Sequence, residues 1–276
     1  MEMRYSTHPE HAKHFTTEEL RQHYLIQELF VPEEVKLVYT HEDRVIIGGI
    51  YPVNKSVALE GNDQIKAETF LERRELGIFN VGGSGIVKVD GETYELATKD
   101  CLYVGKGGKE LIFESDSSVK PAKFYIVSAL AHTTYPTTKQ SFADVPSESL
   151  GSQESANNRT LRRFIHDEGI QSCQLVMGMT TLENGSVWNS MPTHVHDRRM
   201  EVYFYFELDE NARMFHLMGE PNETRHLVMK NDEAVISPPW SIHCGAATGS
   251  YTFIWGMAGE NKTYKDMDQV AMSELR

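Results

Sequence analysis

From Val35 onward the sequence is a series of short runs rich in Val, Ile, Phe and Tyr, broken by Gly, Pro and Asn-Asp clusters. Examples are Lys36-Leu37-Val38-Tyr39, Val45-Ile46-Ile47, Gly85-Ile86-Val87-Lys88-Val89 and Lys123-Phe124-Tyr125-Ile126-Val127. β-branched and aromatic residues at this spacing favour strands, and many short strands separated by turn residues fold as a sandwich or barrel. Helical signals are scarce. The clearest is Thr16-Thr17-Glu18-Glu19 ahead of Leu20, Tyr24 and Leu25, a capping box that opens one short N-terminal helix with Thr16 as N-cap and Glu19 reaching back.

At 276 residues the chain is long for one such domain, since domains average roughly 150 residues. It also echoes itself. Leu71-Glu72-Arg73-Arg74-Glu75-Leu76-Gly77-Ile78-Phe79 resembles His196-Asp197-Arg198-Arg199-Met200-Glu201-Val202-Tyr203-Phe204 at an offset of 125 positions, and Asp100–Gly105 lies against Glu233–Pro238 at an offset of 133. Two echoes in the same order indicate a duplicated β domain, with a loop insertion in the second copy. Between Pro136 and Arg159 the sequence turns to Ser, Thr, Pro, Gly and Asn, which reads as a connection. The predicted organisation is therefore a first domain over 1–135, a linker over 136–159 and a second domain over 160–276.

Charge narrows the partners. Lys plus Arg number 27 against 40 Asp plus Glu, a formal charge of −13, which disfavours nucleic acid and anionic membrane surfaces. The three cysteines, Cys101, Cys173 and Cys244, are widely spaced and form no Cys-x-x-Cys. A disulfide framework is not expected, and a reducing compartment fits. No segment approaches the ~20 apolar residues of a membrane span and no apolar stretch follows the amino terminus, so the reading is a cytoplasmic protein.

The chemically informative segment is Pro192-Thr193-His194-Val195-His196-Asp197-Arg198-Arg199-Met200-Glu201. On a strand, His194 and His196 project to one face and can meet one ion. Glu201 has the opposite parity and joins them only if the chain bends between, for which Asp197–Met200 is polar enough. A fourth donor, His243, follows the proline turn Pro238-Pro239-Trp240-Ser241. Three imidazoles and one carboxylate make a mixed N/O site for one divalent zinc, iron, manganese or nickel ion. By the same offsets the first half has Thr69, Leu71, Leu76 and Glu110 in those places, so its domain reads as a structural barrel without metal ligands.

His194-x-His196, Glu201 and a later His243 resemble the two-part metal motif of the cupin superfamily, and the tandem echo resembles a bicupin. Over nearly its full length the sequence further resembles the 5-keto-4-deoxyuronate isomerases (4-deoxy-L-threo-5-hexosulose-uronate ketol-isomerases). The matching stretches include Phe70–Gly77, Leu102–Gly107, Ala131–Pro136, Arg198–Phe206 and Phe253–Met257. The resemblance implies an all-β fold of two tandem cupin-type, jelly-roll-like barrels, and zinc on His194, His196, Glu201 and His243. It also implies conversion of a 5-keto-4-deoxyuronate to 3-deoxy-D-glycero-2,5-hexodiulosonate in pectin and uronate degradation. Such a keto-deoxyuronate needs a cationic anchor for its carboxylate; among Arg163, Arg198, Arg199 and Arg225, the positions of Arg199 and Arg225 rank first. The general base is open among His226, Tyr203, Tyr205 and metal-bound hydroxide. Tyr203 and Tyr205 share the parity of Glu201, which leaves Val202, Phe204 and Phe206 on an equally apolar opposite face. That face needs cover from the other domain or another subunit, and a homo-oligomer is expected. Competing readings are an iron-dependent cupin oxygenase, an isomerase of a related keto sugar acid and a sugar-binding bicupin without turnover.

Overall fold

The computed structural model describes all 276 residues. Strands dominate, and the chain divides into two compact units. Each unit contains one seven-stranded and one four-stranded sheet, and the strand orders correspond one to one. In the first unit, Arg74–Asn80 lies between Phe124–Leu130 and Cys101–Val104; in the second, Arg199–Phe206 lies between Thr252–Gly259 and Glu233–Ser237. The sequence echo is visible in the register itself: Leu76 faces Val104 in the first unit, and Glu201 faces Ser237 in the second. These pairs are related by the two offsets found in the sequence. The architecture is the expected pair of jelly-roll-like barrels.

The core of the first unit forms where both sheets turn apolar side chains inward: Ile46, Leu76, Ile78, Val87, Leu102, Phe113, Phe124 and Ile126 are all buried in one cluster. Leu71 and Leu76, in the places of His196 and Glu201, belong to this cluster. Glu75, on the opposite face of the strand from Leu76, is buried as well, and it accepts hydrogen bonds from Tyr103 Oη and from the backbone amides of Cys173, Gln174 and Leu175 at 2.6–2.9 Å. A carboxylate can be buried at modest cost when its oxygens are satisfied in this way.

The units are not consecutive in sequence. The first comprises Met1–Arg4, Glu28–Val145 and Phe164–Met177; the second comprises Tyr5–Gln27, Pro146–Arg163 and Gly178–Arg276. This differs from boundaries at 135 and 160. The stretch read as a linker over 136–159 carries Thr138–Gln140, which pairs with Cys101–Val104, and Ser147–Leu150, which pairs with Arg159–Ile165. Both are edge strands whose solvent-facing residues give them the polar composition of a loop. In the second unit, Leu25–Ile26 supplies the strand beside Glu233–Ser237. Ahead of it runs the capped helix Thr17–Tyr24, in which the Glu19 carboxylate accepts from the Thr16 amide at 2.7 Å. A second short helix, Pro9–Ala12, precedes it and was not signalled by the sequence pattern. Neither helix is long and apolar enough to cross a membrane.

The strand Arg199–Phe206 is buried on both faces, with Val202 and Phe204 fully inaccessible. Phe206 is covered as well, so the apolar face that prompted the expectation of a homo-oligomer is already sheltered within one chain.

Candidate metal centre

Four donors converge in the second unit. His194 lies in the two-residue strand His194–Val195, paired with Asp268–Gln269. The chain then turns at Asp197 and Arg198, where the Arg199 amide donates to the His196 carbonyl at 3.2 Å. It resumes as Arg199–Phe206, with Glu201 opposite Ser237 and Met257. This turn reconciles the parity of Glu201 with that of the two histidines. His243 follows a tight turn in which the Ser241 amide donates to the Pro238 carbonyl at 2.9 Å. Ser241 Oγ accepts from the Gly219 amide and donates to the Ile242 carbonyl, at 2.9 and 2.8 Å, which fixes the approach of His243.

All four side chains are buried, and their donor atoms lie within 4.8 Å of one another. Glu201 Oε2 is 3.0 Å from His196 Nε2 and 2.9 Å from His243 Nε2, which in turn is 3.0 Å from His194 Nε2. The other ring nitrogens decide what these Nε2 atoms present. His196 Nδ1 is 2.9 Å from the Arg199 carbonyl, and His243 Nδ1 is 3.2 Å from the Ser241 carbonyl. A carbonyl only accepts, so each Nδ1 carries the proton and each Nε2 turns a lone pair inward. Two such lone pairs against a buried carboxylate repel unless a cation sits among them. The cluster is therefore able to bind a metal ion, and its N/O donors suit zinc, iron, manganese or nickel.

Electrostatics prepare the same state. Burial, with the neighbouring His243, pulls His194 down to about 3, so its imidazole is neutral at ordinary pH. For Glu201 burial acts upward, but the adjacent ring nitrogens of His243 and His196 act downward when they carry a proton, and they prevail, holding the carboxyl well below its usual range. Metal binding needs these deprotonated forms.

Beside the cluster is a small cavity of about 50 Å³, lined by His194, Glu201, Arg159, Asn189, Ser190, Tyr203, Trp255 and Tyr264 among others. Asn189 Nδ2 is buried and has no hydrogen-bond partner, while Ser190 Oγ donates to Asn189 Oδ1 at 2.9 Å. Burial, then the charge of Glu201, pushes the Tyr203 phenol well above its ordinary value and Tyr264 up to about 12. Both hydroxyls are thus proton donors at neutral pH.

The other sequence candidates fall in different places. Arg199 lines the cavity, but its Nη1 donates to the Thr263 carbonyl at 2.8 Å and its Nη2 to those of Tyr264 and Asp266 at 3.3 and 3.0 Å. Only its buried Nε lacks a partner, so the bidentate fork expected for a substrate carboxylate is occupied by backbone. Arg225 donates to the carbonyls of Lys13 and Phe15 at 2.9 and 2.6 Å, and lines a separate cleft with Trp240. His226 is exposed on Glu223–Met229, where alternate side chains point to solvent. Tyr205 is buried but bonds His216 Nδ1 at 2.8 Å and does not line the cavity, so of the two tyrosines expected from the sequence Tyr203 is the one at the site. Arg198 is paired with Asp266 and Asp268 at 2.7 and 2.8 Å, and Arg163 lies 5.1 Å from the Tyr264 ring with Glu148 at 3.4 Å.

Arg159, Asn189, Ser190, Trp255 and Tyr264 were missed as site residues. Trp255 is both buried and part of the cavity wall. Strand parity was the available signal: Tyr203 faces Trp255 and Glu201 faces Met257, so the alternate residues of Phe253-Ile254-Trp255-Gly256-Met257 share the interior with the carboxylate.

The KduI/IolB family model matches residues 25–275. Relatives named 4-deoxy-L-threo-5-hexosulose-uronate ketol-isomerase are 57% identical in Bacillus pumilus and 54% identical in Halalkalibacterium halodurans, each over 276 residues and the whole of both chains. In Enterobacter sp. strain 638 a relative of the same name is 52% identical over 278 residues, again covering both chains fully. Among solved structures, an IolB-like protein from Salmonella typhimurium LT2 superposes with a TM-score of 0.69 at 15% identity, covering 82% of this chain and 87% of that one. Bacillus subtilis oxalate decarboxylase, a protein with Mn(II) centres, superposes with a TM-score of 0.53 at 10% identity, covering 83% of this chain and 71% of its own. At these identities the structural likeness is one of fold, whereas the family match and the full-length relatives are specific. This chain belongs to the KduI/IolB family.

Proposed function

We propose that the protein is a 4-deoxy-L-threo-5-hexosulose-uronate ketol-isomerase, producing 3-deoxy-D-glycero-2,5-hexodiulosonate in uronate and pectin degradation. The observation that carries the reading is the 52–57% identity to relatives of that name over the full chain. The buried donor cluster beside a cavity supports it. In this reading His194, His196, Glu201 and His243 hold one zinc ion. When bound, the ion supplies Lewis-acid polarisation of the substrate carbonyl and its neighbouring hydroxyl, worth several kcal/mol of barrier.

The chain's own residues do the remaining work. Arg159 lines the cavity and spends Nη1 on the Asn157 carbonyl at 3.0 Å; its other nitrogens make it the carboxylate anchor in place of Arg199 and Arg225. Tyr203 Oη and Tyr264 Oη, both held protonated, donate to oxygen as negative charge develops on it, and the unpaired Asn189 Nδ2 orients a substrate hydroxyl. The space of about 50 Å³ is well below the ~300–1,000 Å³ of typical small-molecule sites. Admission of a six-carbon acid therefore requires part of the cavity wall to yield. The three cysteines are free, in keeping with a cytoplasmic enzyme.

The test is turnover by purified protein before and after chelation, with zinc or manganese restored, alongside His243→Ala. Loss on chelation, recovery with metal and an inactive variant are expected. A metal-loaded protein that leaves the substrate unchanged refutes the reading. In deuterated water, deuterium in the product identifies proton transfer, and its absence indicates a hydride shift or a shielded proton.

A further inference from the structure

The first unit has a second cavity, larger than the one at the histidine cluster and unused by the proposed reaction. Its volume is about 310 Å³, and its lining includes Arg73, Arg74, Tyr39, His41, Gln64 and Ile65. Arg74 stands where Arg199 stands in the second unit, at the same strand register, and only 4% of it is exposed. The two arginines are satisfied differently. Arg74 Nε donates to Ser128 Oγ at 3.0 Å, and Nη2 donates to the carbonyls of Ser128 and Arg44 at 3.0 and 2.5 Å. Its Nη1 has no acceptor, and no Asp or Glu lies within ion-pair distance of it.

A buried charge without a counter-ion is costly and normally has a partner. Burial pulls the guanidinium from its ordinary 12.5 to about 10; Tyr39 opposes this and the like charge of Arg73 adds to it. Arg73 is itself fastened, donating to Glu72 at 2.9 Å and to the carbonyls of Ile65 and Lys66 at 2.5 and 2.7 Å, so it holds the cavity loop in place. Tyr39 lies 5.9 Å from the Arg74 guanidinium and 5.4 Å from the His41 ring. The remaining wall is largely apolar, with Met3, Phe70, Ile65 and Leu130.

From this geometry we propose that the first barrel is a binding domain for a small organic carboxylate of about hexuronate size, its carboxylate on Arg74 and its carbon skeleton against Ile65, Phe70 and Leu130. A lone inorganic anion would leave most of the cavity and its apolar wall unfilled. A neutral sugar would leave the guanidinium unpaired. In the duplicated fold, one barrel then keeps the metal donors and the other keeps an arginine free for an anion.

The probe is D-galacturonate, titrated into the full metal-loaded chain and followed through assigned methyl resonances. Ile65 and Leu130 report the first barrel; Leu161 and Met257 line the cavity at the histidine cluster and report the second. Saturable shifts of Ile65 and Leu130 are expected, weakened about tenfold or more for galactose, which lacks the charge. Arg74→Gln should abolish them. Because Arg74 is buried and that variant risks unfolding, Ala67→Phe provides a second test: Ala67 lines the cavity from a partly exposed loop, and the larger side chain fills it. Shifts confined to Leu161 and Met257, equal shifts with galactose, or full saturation by inorganic phosphate alone would each overturn the proposal.

Discussion

Arg199 carries two incompatible assignments, substrate anchor by its sequence position and loop tether by its hydrogen bonds, and Arg199→Lys separates them. The guanidinium reaches three backbone carbonyls, those of Thr263, Tyr264 and Asp266. A lysine ammonium is a single nitrogen at the end of a different stem and retains one of these contacts. Hydrogen bonds to charged donors contribute about 1.5–3 kcal/mol each. Losing two at the lower figure releases about 3 kcal/mol, which raises the population of the opened loop by about 10²-fold. The loop's amides report this directly, because the Asp266 amide donates to the Thr263 carbonyl at 3.0 Å and the Met267 amide to Lys265 at 2.9 Å. Hydrogen exchange on the metal-loaded enzyme without substrate should therefore show those amides exchanging about 10²-fold faster in Arg199→Lys, provided they exchange through local opening. Turnover should fall as Tyr264 loses its position. Unchanged exchange together with a raised KM would refute the tether and return Arg199 to the role of carboxylate anchor.

Arg159→Gln should lower kcat/KM by about 10²-fold, chiefly through KM, because the lost contact is a charged one to substrate; metal content and the urea midpoint should stay as they are, and a loss of metal would contradict the assignment. Glu75→Gln should destabilise the protein by about 3 kcal/mol or more, read from denaturant unfolding, since an amide nitrogen would face donors that now find carboxylate oxygens. His216 gives a pH signature: burial, with His243 adding to it, pulls its pKa down to about 3, against about 6.5 when unfolded. The unfolded chain then takes up the proton first, so stability is full above about 6.5 and is lost as pH falls toward 3, by up to about 1.4 kcal/mol per pH unit. In chelated protein, where ligand protonation no longer releases metal, His216→Gln should flatten the dependence of the urea midpoint on pH below about 6, and an unaltered slope would show that His216 is not its source.

Period-two patterning made the barrels and the donor cluster legible because each strand has one face turned to a core. Glu201, Tyr203 and the paired Trp255 follow that alternation, and a single polar turn at Asp197 and Arg198 was enough to bring His194 and His196 to them. What periodicity does not encode is the far end of a long side chain. Arg199 reads as an anion receptor until its acceptors are seen to be carbonyls more than sixty residues further along the chain. Arg225 is drawn to the N-terminal segment in the same way. Leu25–Ile26 and Thr138–Gln140 are too short to show any alternation, so the placement of the first in the second unit and the pairing of the second with Cys101–Val104 left no trace in the pattern.

The duplication explains why the two barrels can share a strand register and differ in chemistry. A metal site needs all of its donors at once. Once Leu71 and Leu76 occupied the first barrel's positions, those positions were free to become core, and they are fully buried in it. The arginine faced no such requirement, because its usefulness depends only on which acceptors surround it. In the second barrel the Thr263–Asp266 carbonyls absorb the fork. In the first, Arg74 is held through Nε and Nη2, and its Nη1 stays available beside a cavity of about 310 Å³. The first barrel, which has Leu71 and Leu76 where the second has His196 and Glu201, still carries a buried arginine beside a cavity, and the proposed binding function rests on that arginine.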